Sequence, residues 1–138
     1  MQLVSITVEN FRSITAARRI PISELTTLVG PNNEGKSNIL RALVIATNTL
    51  LRLSENPVRV PPRIRRTGRR YYGLINAYDW DTDFPLHLRA SNLKKTKSSI
   101  TLEFSLTADE RALFRERIGS QINGTLPLAL DFDKDVPP

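Results

Sequence analysis

Val4, Ile6 and Val8 alternate with Ser5 and Thr7, the period of a β-strand that buries one face. Ile20 and Ile22 mark a second short strand. Leu25 to Val29 is a compact apolar run ending at Gly30, which predicts a third strand running straight into a glycine loop. From Ser37 onward, Ile39, Leu40, Leu43, Val44, Thr47, Leu50 and Leu51 recur at spacings of three and four. That spacing predicts an amphipathic helix reaching about Arg52, with Pro57 just beyond its end. Further on, Ile100, Leu102, Phe104 and Leu106 alternate with Thr101, Glu103 and Ser105, again a strand packed on one side.

Two local signals then specify a helix. Thr107 and Glu110 form a capping box: the threonine side chain accepts from the backbone three residues on while the glutamate reaches back. The helix is expected from Ala108 to about Ile118, with Gly119 as its stop. Asn123-Gly124 supplies a turn, after which Leu126, Leu128, Leu130 and Phe132 alternate again with Pro127 and Asp131 on the other face. A proline within the alternation places this last strand near a sheet edge. Between about 57 and 98 the chain holds Pro61, Pro62 and Pro85, many arginines and few regular periods, so an irregular insertion is expected there.

With 138 residues, 40% apolar and 25% charged, the chain can bury one core and is too short for two complete domains. It has no cysteine, which excludes disulfides and thiolate metal sites and makes a reducing, cytoplasmic setting the expectation. Neither a secretion signal nor a membrane-length apolar run is legible. The formal net charge of +6 points to a polyanionic partner. Arg59, Arg63, Arg65, Arg66, Arg69 and Arg70 crowd one stretch followed by Tyr71 and Tyr72, and Lys94, Lys95 and Lys97 form a smaller cluster. The arginine stretch suits a nucleic-acid backbone, with the tyrosines available to stack on bases, and suits a solvated or partner-binding loop equally well.

The strongest chemistry lies in Gly30-Pro31-Asn32-Asn33-Glu34-Gly35-Lys36-Ser37, which has the Gly-x4-Gly-Lys-Ser spacing of a phosphate-binding loop. A match of this kind arises by chance on the order of once in two hundred chains of this length, and here a strand is expected before it and a helix after it. Backbone amides around the loop and the amino terminus of the helix attract phosphate oxygens. A β-carbon at Gly30 or Gly35 would obstruct a curled backbone, and Asn33 suits a left-handed position. In such a loop Lys36 neutralises the β- and γ-phosphates of ATP, and the Ser37 hydroxyl ligates Mg²⁺.

Ile6-Thr7-Val8-Glu9-Asn10-Phe11-Arg12-Ser13-Ile14, followed by the phosphate loop and Asn38, resembles the start of the ABC-type ATPase heads of RecF and SMC proteins. It is most similar to the OLD (overcoming lysogenization defect) family of ATP-dependent endonucleases, in which an Asn-Phe-Arg/Lys turn precedes a loop ending Gly-Lys-Ser-Asn. Tyr78-Asp79-Trp80 and Asp83-Phe84-Pro85 resemble OLD sequences more loosely. The resemblance implies an α/β fold: a P-loop NTPase, here a partial ABC-type head lobe with an antiparallel strand set beside a central sheet. It further implies that Arg12 and Ser13 approach the nucleotide from the side while Asn32, Asn33, Glu34, Gly35, Lys36, Ser37 and Asn38 wrap the phosphates. RecF and SMC heads usually carry Gly-Ser where this chain has Asn33-Glu34.

A Q-loop glutamine, a signature Ser-Gly segment, a Walker B pair and a Toprim carboxylate cluster are not recognisable in the sequence. The resemblance therefore implies that residues 1–138 are the amino-terminal lobe of the ATPase, the rest being supplied elsewhere, with a homodimer or larger assembly of the parent protein. ATP engagement would gate DNA binding or cleavage. Two other readings stand beside it: a RecF/SMC-like repair ATPase without nuclease, and a non-hydrolysing nucleotide-binding or partner-binding subunit.

Three remaining constellations carry less. Leu128-Ala129-Leu130-Asp131 imitates a Walker B strand, but Pro127 and strict alternation fit a half-exposed edge strand, and Phe132 stands where glutamate should be. Asp79, Asp81 and Asp83 open like a calcium loop, but Phe84-Pro85 replaces the required glycine and Ala90 the bidentate glutamate. A solvated acidic loop pairing with nearby arginines is expected instead. His87 is the only histidine and is expected to be a surface or structural residue.

Overall fold

A computed structural model describes residues 1–31, 35–55, 77–90, 97–119, 122 and 124–133. Its elements, in chain order, are β1 (Gln2–Glu9), β2 (Arg18–Pro21), α1 (Lys36–Glu55), α2 (Trp80–Asp83), α3 (Leu86–Ala90), β3 (Lys97–Ser105), α4 (Ala108–Ile118) and β4 (Thr125–Asp133). The four strands form one sheet in the order β2-β1-β3-β4, with every neighbouring pair antiparallel.

Register explains why the strand patterns read as they do. Ile6 lies opposite Ile20 on one side and Leu102 on the other, and Leu102 faces Leu128 across the next ladder. Val8, Ile100 and Leu130 make a second row. Directly paired residues point to the same side of a sheet, so these rows stack on a single apolar face. Ala42, Ile45 and Ala46 of α1 cover it, and Ile6, Val8, Phe11, Ile14, Ile100, Leu102 and Phe132 complete the core. The two alanines keep the helix close to the sheet.

The opposite face is polar. There the Glu103 carboxylate accepts from Ser5 Oγ at 2.6 Å, Arg19 Nη2 at 2.8 Å and Thr125 Oγ1 at 2.8 Å, linking all four strands. These donors hold its carboxyl down at about 2, the Ser5 bond contributing most. A carboxyl depressed in the folded state stabilises the fold at pH above its ordinary value near 4.5, and that contribution fades as pH falls toward 2. The Glu103→Gln variant should therefore lose part of the fall in stability that the parent shows from pH 5 to pH 2.5. Urea titrations at the two pH values measure this, and equal falls in both proteins would refute it.

α4 follows its local signals closely. Glu110 N donates to Thr107 Oγ1 at 3.3 Å and Thr107 N donates to Glu110 Oε2 at 2.9 Å, so both halves of the capping box form. Gly119, at φ 71°, closes the helix by donating its N–H to Arg115 O at 2.9 Å. The helix buries none of its residues, so these end contacts matter more to it than packing does. The Glu110 side chain also binds the amino-terminal ammonium at 2.6 Å.

Three expectations need correction. Leu25 to Val29 is not a strand: Leu25 is 85% and Val29 88% exposed, and Ser23 Oγ donates forward to Leu25 O. A buried apolar strand needs ladder partners and cover on both faces, and no described strand flanks this one. α1 runs to Glu55 instead of stopping near Arg52, with Arg52 in its last turn, where a cation complements the helix dipole. The described part of the expected irregular insertion contains α2 and α3, and Phe84 and Pro85 between them are buried. The edge position of β4 matches its Pro127. Asn123 lies outside the described residues, as does the arginine stretch with Tyr71, Tyr72, Lys94 and Lys95.

Candidate nucleotide site

β1 ends in Asn10, and the chain then doubles back in a tight turn. Phe11 N donates to Ile14 O and Ile14 N to Phe11 O, both at 2.8 Å, and both side chains sink into the core. Arg12 and Ser13 are left at the tip. Asn10 and Arg12 each sit at φ 52°, a left-handed conformation that costs most residues of order 1 kcal/mol. Asn10 is fixed by Nδ2 donating to Lys97 O at 3.2 Å and by its carbonyl accepting from Ser98 Oγ. Arg12 is fixed from another quarter: its backbone N donates to Asp83 O at 2.7 Å and its Nε to Asp83 Oδ1 at 2.8 Å.

The turn lies against the end of the glycine loop. Ser13 Oγ accepts from Asn38 Nδ2 at 2.9 Å. Gly35 has φ +90°, and a β-carbon there would come within 3.3 Å of Ser13 Oγ and 3.5 Å of Ile14 Cγ1. The backbone conformation favours glycine at this position, and the approach of the turn adds one tight contact to any β-carbon placed there. α1 begins at the next residue, with Ile39 N donating to Gly35 O at 2.9 Å.

Lys36 folds back over the loop that precedes it. Its Nζ donates to Gly30 O at 2.6 Å and also to Pro31 O, so the ammonium lies against the backbone carbonyls that open the glycine loop. The first turn of α1 has no acidic residue, so no side chain of that turn opposes the positive end of the helix dipole. Ser37, in that same turn, is exposed. A cation, the backbone amides of a helix start and an exposed hydroxyl together suit a polyphosphate with its Mg²⁺: Lys36 toward phosphate oxygens, Ser37 toward the metal. Asn32, Asn33 and Glu34 lie outside the described residues. Of the predicted set, the structure brings together Ser13, Gly35 and Asn38 as one contact group and Lys36 with Gly30 as another.

The acidic segment corrects an expectation. Asp83 is wholly buried, not solvated. It pairs with two arginines distant in sequence: Arg12, and Arg41, whose Nε donates to Asp83 Oδ1 at 3.0 Å and Nη2 to Oδ2 at 3.4 Å. Neither Asp83 nor Arg41 was singled out as a site residue by sequence reasoning. The one available hint was the apolar Phe84-Pro85 after Asp83, which suits a buried carboxylate better than a solvated one. Asp79 caps α2 by accepting from Asp81 N at 2.9 Å, so this stretch is organised around a helix start and an ion-pair cluster.

The neighbouring aromatics anchor the segment. Trp80 and Phe84 stack with centroids 3.9 Å apart, and Tyr78 stacks on Phe132 at 4.6 Å. Tyr78 Oη also bonds Ser98 Oγ at 2.8 Å, and burial pushes its phenol up to about 12. Asp131 pairs with Lys97 Nζ at 2.6 Å on the exposed edge strand, and that bond lowers its carboxyl, an arrangement unlike a metal-binding Walker B strand. His87 is exposed on α3.

A four-stranded antiparallel sheet is backed by a helix that opens at the Gly–Lys–Ser sequence, an arrangement of the α/β class. The family model for the AAA ATPase domain matches residues 1–127, and the chain belongs to that family. A 43-residue stretch is 46% identical to an uncharacterized protein of Methanocaldococcus jannaschii, covering 31% of this chain and 13% of that protein. Among the described residues no helix is long and apolar enough to cross a membrane.

Proposed function

We propose that this chain is the Mg-ATP-binding part of an ATPase related to the OLD-family DNA endonucleases, in which ATP binding and hydrolysis gate DNA binding or cleavage by the parent enzyme. The observation that carries the nucleotide part is the Lys36 ammonium turned onto the Gly30 and Pro31 carbonyls at the start of a helix without a first-turn acid. Those carbonyl contacts hold the cation beside the loop until phosphate oxygens, which are stronger acceptors for it, replace them. Gly30, Asn32, Asn33, Glu34, Gly35, Lys36, Ser37 and Asn38 form the phosphate cradle, Ser37 holds Mg²⁺, and Arg12 and Ser13 flank it. The Mg²⁺ neutralises phosphate charge when bound.

The turnover step depends on a second lobe. Leu25 and Val29 are exposed, and so are Leu40, Val44 and Leu51, which fall at helical spacing along one side of α1. Apolar groups of this kind on both sides of the loop are suited to burial against the remaining part of an ATPase core and against a second head. The DNA assignment rests on the resemblance and on the arginine stretch Arg59, Arg63, Arg65, Arg66, Arg69 and Arg70. Titration calorimetry of the chain with ATP in the presence of Mg²⁺ tests the nucleotide reading: saturable binding of one nucleotide per chain is expected. No binding up to millimolar ATP would overturn it.

A further inference from the structure

We propose that Asp83 is a positioning residue for nucleotide binding: its buried carboxylate ties Arg12 to Arg41 and thereby clamps the Phe11–Ile14 turn against the phosphate loop. The inference rests on the nucleotide reading above and goes beyond it to a residue outside the loop and its flanking turn.

The clamp has two points of attachment, one for each residue at the tip of the turn. Ser13 is bound directly to α1 through Asn38. Arg12 is bound to α1 indirectly, its Nε and the Arg41 Nε meeting on the same Asp83 oxygen at 2.8 and 3.0 Å. Asn38 and Arg41 are three residues apart on α1 and so share one side of it, the side on which the turn lies. Both attachments bear on Gly35, because the turn they hold supplies the Ser13 and Ile14 atoms that a β-carbon there would meet at 3.3 and 3.5 Å.

Charge and strain argue that this is more than packing. A fully buried carboxylate is expensive, and apolar residues of similar size commonly stabilise a core as well or better. Asp83 is 0% exposed, while the two guanidinium side chains it joins remain 32% and 31% exposed. The cluster thus has one negative charge inside and two positive charges at the surface, leaving a net cation beside a site for polyanions. Arg12 is also kept at a left-handed φ by bonds from both its backbone and its side chain to the same aspartate. Strain fixed this firmly marks a position whose orientation matters. Asp83 is itself held by Asp79 N donating to Oδ2 at 3.1 Å.

The test measures Mg-ATP affinity of the full chain by titration calorimetry for the parent, Asp83→Asn, Arg41→Gln, Arg12→Ala and the double variant Arg12→Ala/Asp83→Asn. Asp83→Asn and Arg41→Gln should each weaken binding about tenfold, the scale of a lost charge-assisted contact. The double variant should bind no more weakly than Arg12→Ala alone, since Asp83 acts through Arg12. Losses that multiply in the double variant would mean Asp83 serves the fold generally and would overturn the proposal, as would parental affinity in both Asp83→Asn and Arg41→Gln. Should Asp83→Asn fail to fold, Arg41→Gln, altered on a partly exposed helix position, decides by the same comparison with Arg12→Ala. A parent that binds no nucleotide overturns the nucleotide reading itself, a result distinct from a parent that binds and variants that do not differ from it.

Discussion

Lys36→Ala should reduce affinity for Mg-ATP by a factor of about 10 to 150, the range given by losing roughly 1.5–3 kcal/mol of charge-assisted hydrogen bonding. The ammonium is bonded to Gly30 O and Pro31 O, at the described start of the loop. At the proposed site its removal subtracts a full positive charge from the place where two or three phosphate charges would gather. It also removes the tie between the helix start and the entry of the loop. The fold should be indifferent to the change, because Lys36 opens α1 at a partly exposed position and alanine is the better helix former. Thermal melting within a few degrees of the parent, together with the loss in calorimetry, would place the defect at the site. The loss should grow with phosphate number, being small for AMP and large for ATP. Unchanged ATP affinity would remove the phosphate loop from the account entirely.

Residues that read correctly from sequence are those whose determinants are close along the chain. The Thr107–Glu110 box and Gly119 need only each other and the intervening backbone, and both formed as expected. The alternations in β1, β3 and β4 are equally local, since burying one face of a sheet imposes a period of two whatever the partner strand. The proposed phosphate loop stands out in sequence because phosphate binding would restrict residue type at fixed spacing, and Gly35 has the positive φ and close approach that suit glycine.

What could not be read depends on distant partners. Asp83 lies 71 residues from Arg12 and 42 from Arg41, so the partners that satisfy its buried carboxylate are not its neighbours in sequence. In sequence it looks like one of three spaced aspartates suited to water. Leu25 to Val29 fails for the complementary reason. An apolar run specifies that it should be covered, not by what, and among the described strands none supplies the cover. α2 and α3, of four and five residues, are too short to establish a period of 3.6.

Phe132→Ala should destabilise the fold by about 3–5 kcal/mol, the usual cost of deleting a buried aromatic ring and leaving part of its volume empty. Total stabilities of domains this size are only about 5–15 kcal/mol, so the variant should unfold at a much lower urea concentration than the parent. Phe132 is fully buried near the end of an edge strand, opposite Ser98, and its ring carries the Tyr78 ring. Removing it empties a space between the sheet and the 77–90 segment, and the tyrosine, also held by Ser98, is poorly placed to collapse into it. Phe132→Leu keeps most of the volume and should cost about 1–2 kcal/mol. Because Tyr78 begins the segment that ends in Asp83, the alanine variant should weaken Mg-ATP binding as well, even under conditions where it remains folded. Stability within about 0.5 kcal/mol of the parent, the scale of ordinary surface changes, would show that the 77–90 segment packs on the sheet without depending on this ring, and would detach the aromatic stack from the support of the Asp83 clamp.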